Sequence, residues 1–213
     1  KLKKEYDATI FGNAESGAGT NGRFALKGFG MKNSQKEMLL AFANVNNLND
    51  NQIANIQGQW TPQENTNGLQ TNRTANVSYA KFFGGDMFKW ISTSNTISHN
   101  GEDIQMLKNA EVYLPSRNIY QHAQDGTINK STIFDSKNAF KYEQDGKYST
   151  HSTLDILYKH NDKYKSAFTS NSEGNSLLNE LNEKTTHTNE QFNIKFANEN
   201  NFNISVVDLL YTG

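Results

Sequence analysis

The feature that most constrains this chain is alternation. Phe192, Ile194 and Phe196 occupy every second position, as do Ala75, Val77 and Tyr79. A period of two puts such residues on one face of an extended strand, whereas a helix face needs spacings of three and four. The pattern recurs over residues 6–16, 23–31, 36–45, 69–81, 88–98, 104–113, 128–142, 151–159, 163–171, 184–197 and 202–211. Between these runs lie KNSQKE, FFGGDM, SHNGED, EQDGK, KHNDK, NSEGN and ANENN. Their Asn, Asp and Gly supply the positive φ that tight hairpins require. The expected class is all-β: an antiparallel up-and-down meander of about ten or eleven strands, a barrel or part of a barrel. It forms a single β-domain over residues 1–213. The one stretch with helical spacing is NSLLNELNE, residues 175–183.

Composition sharpens this reading. Hydrophobic residues make up only 35%, mean hydropathy is −0.78, and there are 30 asparagines. That polarity approaches the disordered range, but 11% aromatics do not belong there. Tyr and Phe at alternate positions in a polar chain fit β-structure with one wet face. The net charge of −1 offers no basic surface for nucleic acid. No cysteine is present, so thiolate and disulfide chemistry are excluded. The start, KLKKEYDATIF, has no Met and no apolar signal core, which reads as a processed chain or a fragment.

Gly17, Gly19 and Gly22 spell the glycine pattern of a dinucleotide-binding loop. That loop needs a helix after it, whose N-terminus holds the pyrophosphate. Here RFALKGFGMK follows, and it alternates. Gly28 and Gly30 would weaken a helix by about 1 kcal/mol each relative to alanine. The glycines therefore predict a hairpin turn, and Gly28 with Gly30 predict a strand that bends or packs closely.

A family resemblance runs through these motifs. YDATIFGNAESGAGTNGRFALKGFGMKNSQKEMLLAFANVNNLND, then GQWTPQENTNGLQTNRTANVSYA, resemble the early barrel region of TonB-dependent receptor-like outer-membrane proteins of Bacteroidota. The likeness continues through the polar meander to about residue 170. It implies a larger parent protein with a signal peptide, a plug domain and a barrel. It implies bacterial outer-membrane location and contact with outer-membrane lipid. TonB contact would come through N-terminal parts outside this chain, and the function would be recognition or uptake of a nutrient. The alternative is a stand-alone soluble or surface-exposed β-sheet domain that binds a ligand without transport. Spanning strands need about 9–11 residues with an apolar outward face, and several runs here are wet on both faces.

No catalytic or metal constellation is expected. His99, His122, His151, His160 and His187 have no metal-ligand spacing. Glu102 and Asp103 adjoin HNG and read as solvated turn residues. No nucleophile elbow or cofactor motif is present, so the chain reads as a non-enzyme without cofactor. Two residues stand out as ligand-contact candidates. Trp60 lies in the long aperiodic connection 46–68, and loops of that length are commonly functional. It is expected either to fold back onto the sheet or to meet ligand. Arg73 lies on an alternating strand, where it would line a barrel lumen and tune selectivity.

Overall fold

A computed structural model describes residues 8–55, 57–61, 68–84, 87–144 and 148–202. Among them there is no helix. Ten strands follow in order: β1 (Ala8–Ala18), β2 (Phe24–Ser34), β3 (Glu37–Asn46), β4 (Ile53–Ala54), β5 (Trp60–Thr61), β6 (Leu69–Phe83), β7 (Met87–Leu114), β8 (Arg117–Gln144), β9 (Tyr148–Glu173) and β10 (Ser176–Phe202). Eight of them form one antiparallel sheet in the order β1-β2-β3-β6-β7-β8-β9-β10, and β4-β5 form a separate small ladder. The up-and-down meander is thus the observed architecture. Among the described residues β1 and β10 each pair on one side only, and every residue of both is exposed.

The glycine-rich connection is a hairpin turn. Asn21 and Gly22 both have positive φ, 57° and 69°, and the Arg23 amide donates to the Thr20 carbonyl at 3.3 Å. Two consecutive positive φ values make the turn whose twist matches a β-hairpin. Close packing appears at Gly12 rather than at Gly28 or Gly30. A Cβ at Gly12 would sit 2.6 Å from the Phe29 carbonyl oxygen, while the other two face open space.

The strands from β7 to β10 are longer than the turn signals suggest. Asn100-Gly101 and the run from His160 to Asp162 lie inside β7 and β9, not between strands. Each is paired on both sides without interruption: Gly101 with Thr71 and Lys130, and Asn161 with Ser131 and Asn189. Two neighbouring ladders outweigh one local turn preference. NSLLNELNE likewise forms the start of β10, against β9, and ANENN runs through as strand to Asn201. The expected last strand, 202–211, lies beyond the described residues after Phe202.

Register sorts the side chains into two faces, because directly opposed residues point the same way. One face is polar from β6 onward. Asn76, Thr96, Asp135, Leu157 and Asn193 are successive partners across it. The other face carries an apolar band. Ala75, Ile97, Phe134, Tyr158 and Phe192 form one row. Leu39, Tyr79, Thr93, Asn138, Leu154 and Phe196 form a second. At its lower end Tyr142, Tyr148 and Phe202 stack in sequence, with centroids 6.0 and 4.9 Å apart. Along β8 the band runs from Phe134 to Tyr142, nine positions or about 27 Å, whereas on β9 and β10 it is five positions tall, Leu154 to Tyr158 and Phe192 to Phe196. Much of it is open to the surroundings, with Ile194 59% and Phe196 68% exposed. Thr93, Asn95, Ser136 and Asn138 interrupt it, with Asn95 donating to Thr93 at 2.9 Å and Asn138 to Ser136 at 3.0 Å. Glu37, Lys81, Ser152 and Asn198 share the row of Phe140 on the same face.

Beyond the band, β7 to β10 project roughly fifteen residues further, about 50 Å. Their two hairpin tips are joined by Arg117 and Glu173 at 3.3 Å, an exposed pair that contributes little energy.

Candidate functional site

The connection between β3 and β6 folds back onto the polar face. Its first turn is a clamp built from asparagines. Asn44 and Asn46 are fully buried. The Asp50 carbonyl accepts amide hydrogens from Asn44 at 3.3 Å, from Asn46 at 2.5 Å and from Asn72 at 3.1 Å. Asn46 Oδ1 in return accepts the backbone amides of Leu48 and Asp50, at 3.0 and 3.2 Å. Asn49, at φ 61°, donates to the Gly68 carbonyl and accepts from the Gln70 amide. Asparagine suits this task because one short side chain offers both donors and an acceptor, and it tolerates the left-handed conformation. The ANVNNLND run thus spends its amides satisfying buried loop backbone, which would otherwise carry a desolvation cost.

A charge joins the clamp. Lys27 on β2 is buried to 8% exposure, forms an ion pair with Asp50 and donates to Gln52 at 3.0 Å. Its ammonium also lies 5.3 Å from the Trp60 ring centroid, within cation–π range. Trp60 meets Phe42 edge-on at 6.2 Å and packs against the small core of Phe29, Leu40 and Ala54. At Gly58, φ 76°, an added Cβ would strike the Phe29 ring at 2.9 Å, so only glycine lets the β4-β5 hairpin settle here. Trp60 has therefore folded back onto the sheet. Pro62, two residues on, lies outside the described residues.

Next to the clamp is a cavity of about 210 Å³. Asn51 of the loop lines it together with Gln70, Asn72, Asn100, Glu102, Asn129 and Ser131. Gln70, Glu102 and Asn129 are consecutive register partners on the polar, loop-bearing face. Among the described residues three buried side-chain polar atoms have no hydrogen-bond partner: Trp60 Nε1, Glu102 Oε1 and Asn129 Oδ1. All three belong to this face. Buried polar atoms are nearly always partnered, so these three are the exceptions on this face.

Arg73 is not part of this site. It is exposed on the opposite face, in register with Val45 and His99. Trp60 and Arg73 therefore do not converge, and Arg73 stands at the border of the apolar band instead. Glu102 is the residue that the sequence reading misses. The HNG signal marks it as a solvated turn position, yet it lies within β7 and one carboxylate oxygen is buried. Among the described residues no group of three acidic, His or Cys side chains is placed to hold a metal ion.

The border row itself is ionic. Val45, Arg73, His99, Thr132, His160 and Glu190 are successive partners across the sheet. His160 Nδ1 lies 3.0 Å from Glu190 Oε1, and Nε2 lies 3.1 Å from Asp162 Oδ2. Two carboxylates want two donors, which only the protonated ring supplies. The hydrogen bond to Asp162, then that to Glu190, raises the His160 pKa above its ordinary 6.5. Thr188 and then His160 hold the Asp162 carboxyl below its ordinary 3.8. The His160 contribution to stability is complete below pH 6.5 and is lost as pH rises through the folded value. The Asp162 contribution is complete above 3.8 and is lost as pH falls through its folded value. We expect an NMR titration of the His160 ring to show a midpoint above 6.5, which Asp162→Asn moves back down. An unchanged midpoint in that variant would remove Asp162 as the cause.

No family model, curated protein or solved structure matches the chain.

Proposed function

We propose that this chain is a membrane-spanning part of an outer-membrane β-barrel of the TonB-dependent receptor-like type, which recognises or takes up a nutrient at its loop-bearing face. The observation that carries this reading is the apolar band. It lies on one face of β6 to β10, along β8 it is about the height of a bilayer core, and Tyr and Phe stand at its two ends. Trp60 and the amide-lined cavity lie on the other face, which in a barrel is the wet interior. The β3-β6 connection then narrows that interior, held by the asparagine clamp. The polar extensions of β7 to β10 stand clear of the membrane. Among the described residues β1 and β10 pair on one side only, and those edges are where further strands of a barrel would add.

A soluble binding domain is the second reading, favoured by the polar interruption of the band at Thr93, Asn95, Ser136 and Asn138. One experiment separates the two. The 213-residue chain is unfolded in urea and diluted into buffer alone or into buffer with lipid vesicles. The barrel reading expects cooperative folding only with vesicles, and association through sheet edges in their absence. A monodisperse, cooperatively unfolding monomer in plain buffer would overturn it.

A further inference from the structure

We propose that the β6-to-β8 part of the ionic border holds the anionic phosphate head group of a membrane lipid. The inference rests on the reading that the apolar band meets lipid, and it adds the class of lipid that docks there. Two rows lie directly beyond the band on its own face. Arg73, His99 and Thr132 are successive partners in the first, and Thr71, Gly101 and Lys130 in the second. Arg73 and Lys130 thus stand diagonally across β7, with Gly101 between them. The glycine leaves the middle open. Among the described residues only the Thr71 side chain comes within 4 Å of where a Cβ would stand, its hydroxyl at 2.6 Å. Thr71, Arg73, His99 and Lys130 are all exposed. The ion pairs among the described residues engage neither Arg73 nor Lys130.

The bordering groups have a sign. They are a guanidinium, an ammonium, an imidazole and a hydroxyl, and the two cations give charge-assisted bonds to phosphate oxygens. His99 Nδ1 lies 2.9 Å from the Thr132 hydroxyl, so Nε2 is the nitrogen left for an incoming group. The nearby carboxylates are committed elsewhere. Asp162, the register partner of Lys130, meets His160 with one oxygen and Thr188 with the other, and Glu190 meets His160. The β9-β10 half of the border therefore neutralises itself, while the β6-to-β8 half carries uncompensated positive charge in a chain of net charge −1. Position names the source of the phosphate. Successive rows on one face are about 7 Å apart along a strand, so the cations begin one row beyond Ile97 and Phe134, both exposed. The head-group layer of a bilayer has a similar depth, about 5–8 Å on each side of the hydrocarbon. A lipid with its chains along Ile97 and Phe134 brings its phosphate to Arg73 and Lys130. An anion arriving from the opposite side passes Asp103, two residues beyond Gly101 on the same face of β7.

The test uses the 213-residue chain folded into phosphatidylcholine vesicles, with entry read first by co-flotation and protection from protease. Ile97→Cys, in a chain without other cysteines, carries a fluorophore in the band just below the cations. Dibrominated phosphatidic acid and dibrominated phosphatidylcholine with the same chains quench it, and their ratio gives the local preference for an anionic phosphate. Phosphatidic acid is expected to be preferred at this label, and not at a label on Phe140→Cys lower in the band. Arg73→Gln and Lys130→Gln should each lower the preference by about fivefold. Arg73→Lys should keep most of it, and Lys137→Gln, on the polar face, should leave it unchanged. Either glutamine variant suffices if the other does not fold, as judged by far-ultraviolet circular dichroism. Glycerol 3-phosphate in the buffer separates the two sources of phosphate: it should not relieve the quenching, and full relief would assign the place to a soluble phosphate and overturn the lipid. A chain that enters vesicles but shows no preference, or loses it equally in Lys137→Gln, would overturn this inference and leave the membrane reading standing. A chain that does not enter would overturn both.

Discussion

Replacing Asn46 with leucine should destabilise the folded chain by about 3 kcal/mol, the sum of several lost hydrogen bonds and the stranded partners they leave. Asn46 is 1% exposed. It donates to Asn44 Oδ1 at 2.8 Å and to the Asp50 carbonyl, and it accepts from two backbone amides. Leucine keeps the branching at Cγ but is larger and has no polar atom, so crowding of the buried site adds to the lost polar satisfaction. The Leu48 and Asp50 amides lose their acceptor inside the fold, and the loop carrying Trp60 loses its main attachment. Urea unfolding measures the free energy, and hydrogen exchange at Leu48 and Asp50 locates it. Asn189, exposed on β10, is the control, and its replacement by alanine should stay within about 0.5 kcal/mol. A loss below about 1 kcal/mol for Asn46→Leu, with both amides still protected, would mean that the clamp does not hold the loop.

The second large effect depends on side-chain parity in β9. Leu154 lies in the middle of the apolar band, between Asn138 and Phe196 in register. Thr153, one residue earlier, points to the other face, between Ala139 and Ala197. Leu154→Arg should cost about 2–4 kcal/mol for folding into vesicles, the penalty for a guanidinium near the bilayer midplane. Thr153→Arg faces the wet side and should cost less than about 1 kcal/mol. The asymmetry between two adjacent positions is the informative quantity, because general damage to the strand would affect both alike. Equal costs, or the larger one at Thr153, would contradict the assignment of faces.

Much of the fold was legible because β-structure writes itself locally. Alternation at Phe192, Ile194 and Phe196 identified a strand, and Gly17, Gly19 and Gly22 identified a hairpin turn, where Asn21 and Gly22 carry the positive φ values. Strand length was less legible. Asn100-Gly101 carries a strong turn preference, and nothing within a few residues reveals that β6 and β8 flank it on both sides. The helical spacing of NSLLNELNE was overridden in the same way, by the β9 ladder.

The site was harder to read. The period of two shows that Arg73 shares a face with Val77, but not whether that face is the one the loop covers. That depends on the β3-β6 connection folding back, which in turn depends on Asn44, Asn46 and Asn72 meeting one carbonyl. In a chain so rich in asparagine, those three residues look like all the others. Glu102 was hidden by its turn-like neighbours, and Asn129 by its ordinariness. Only the register that sets them opposite each other makes them a pair.

The central claim is that one face of the sheet meets lipid and the other meets water. The chain has no cysteine, so single-cysteine variants accept a spin label at one known place. We would label positions 153 to 158 of β9 in turn, fold each variant into vesicles, and compare accessibility to oxygen with accessibility to a water-soluble nickel chelate. The account predicts alternation: oxygen favoured at Leu154, Ile156 and Tyr158, and the chelate favoured at Thr153, Asp155 and Leu157. All six positions open to the chelate would contradict it.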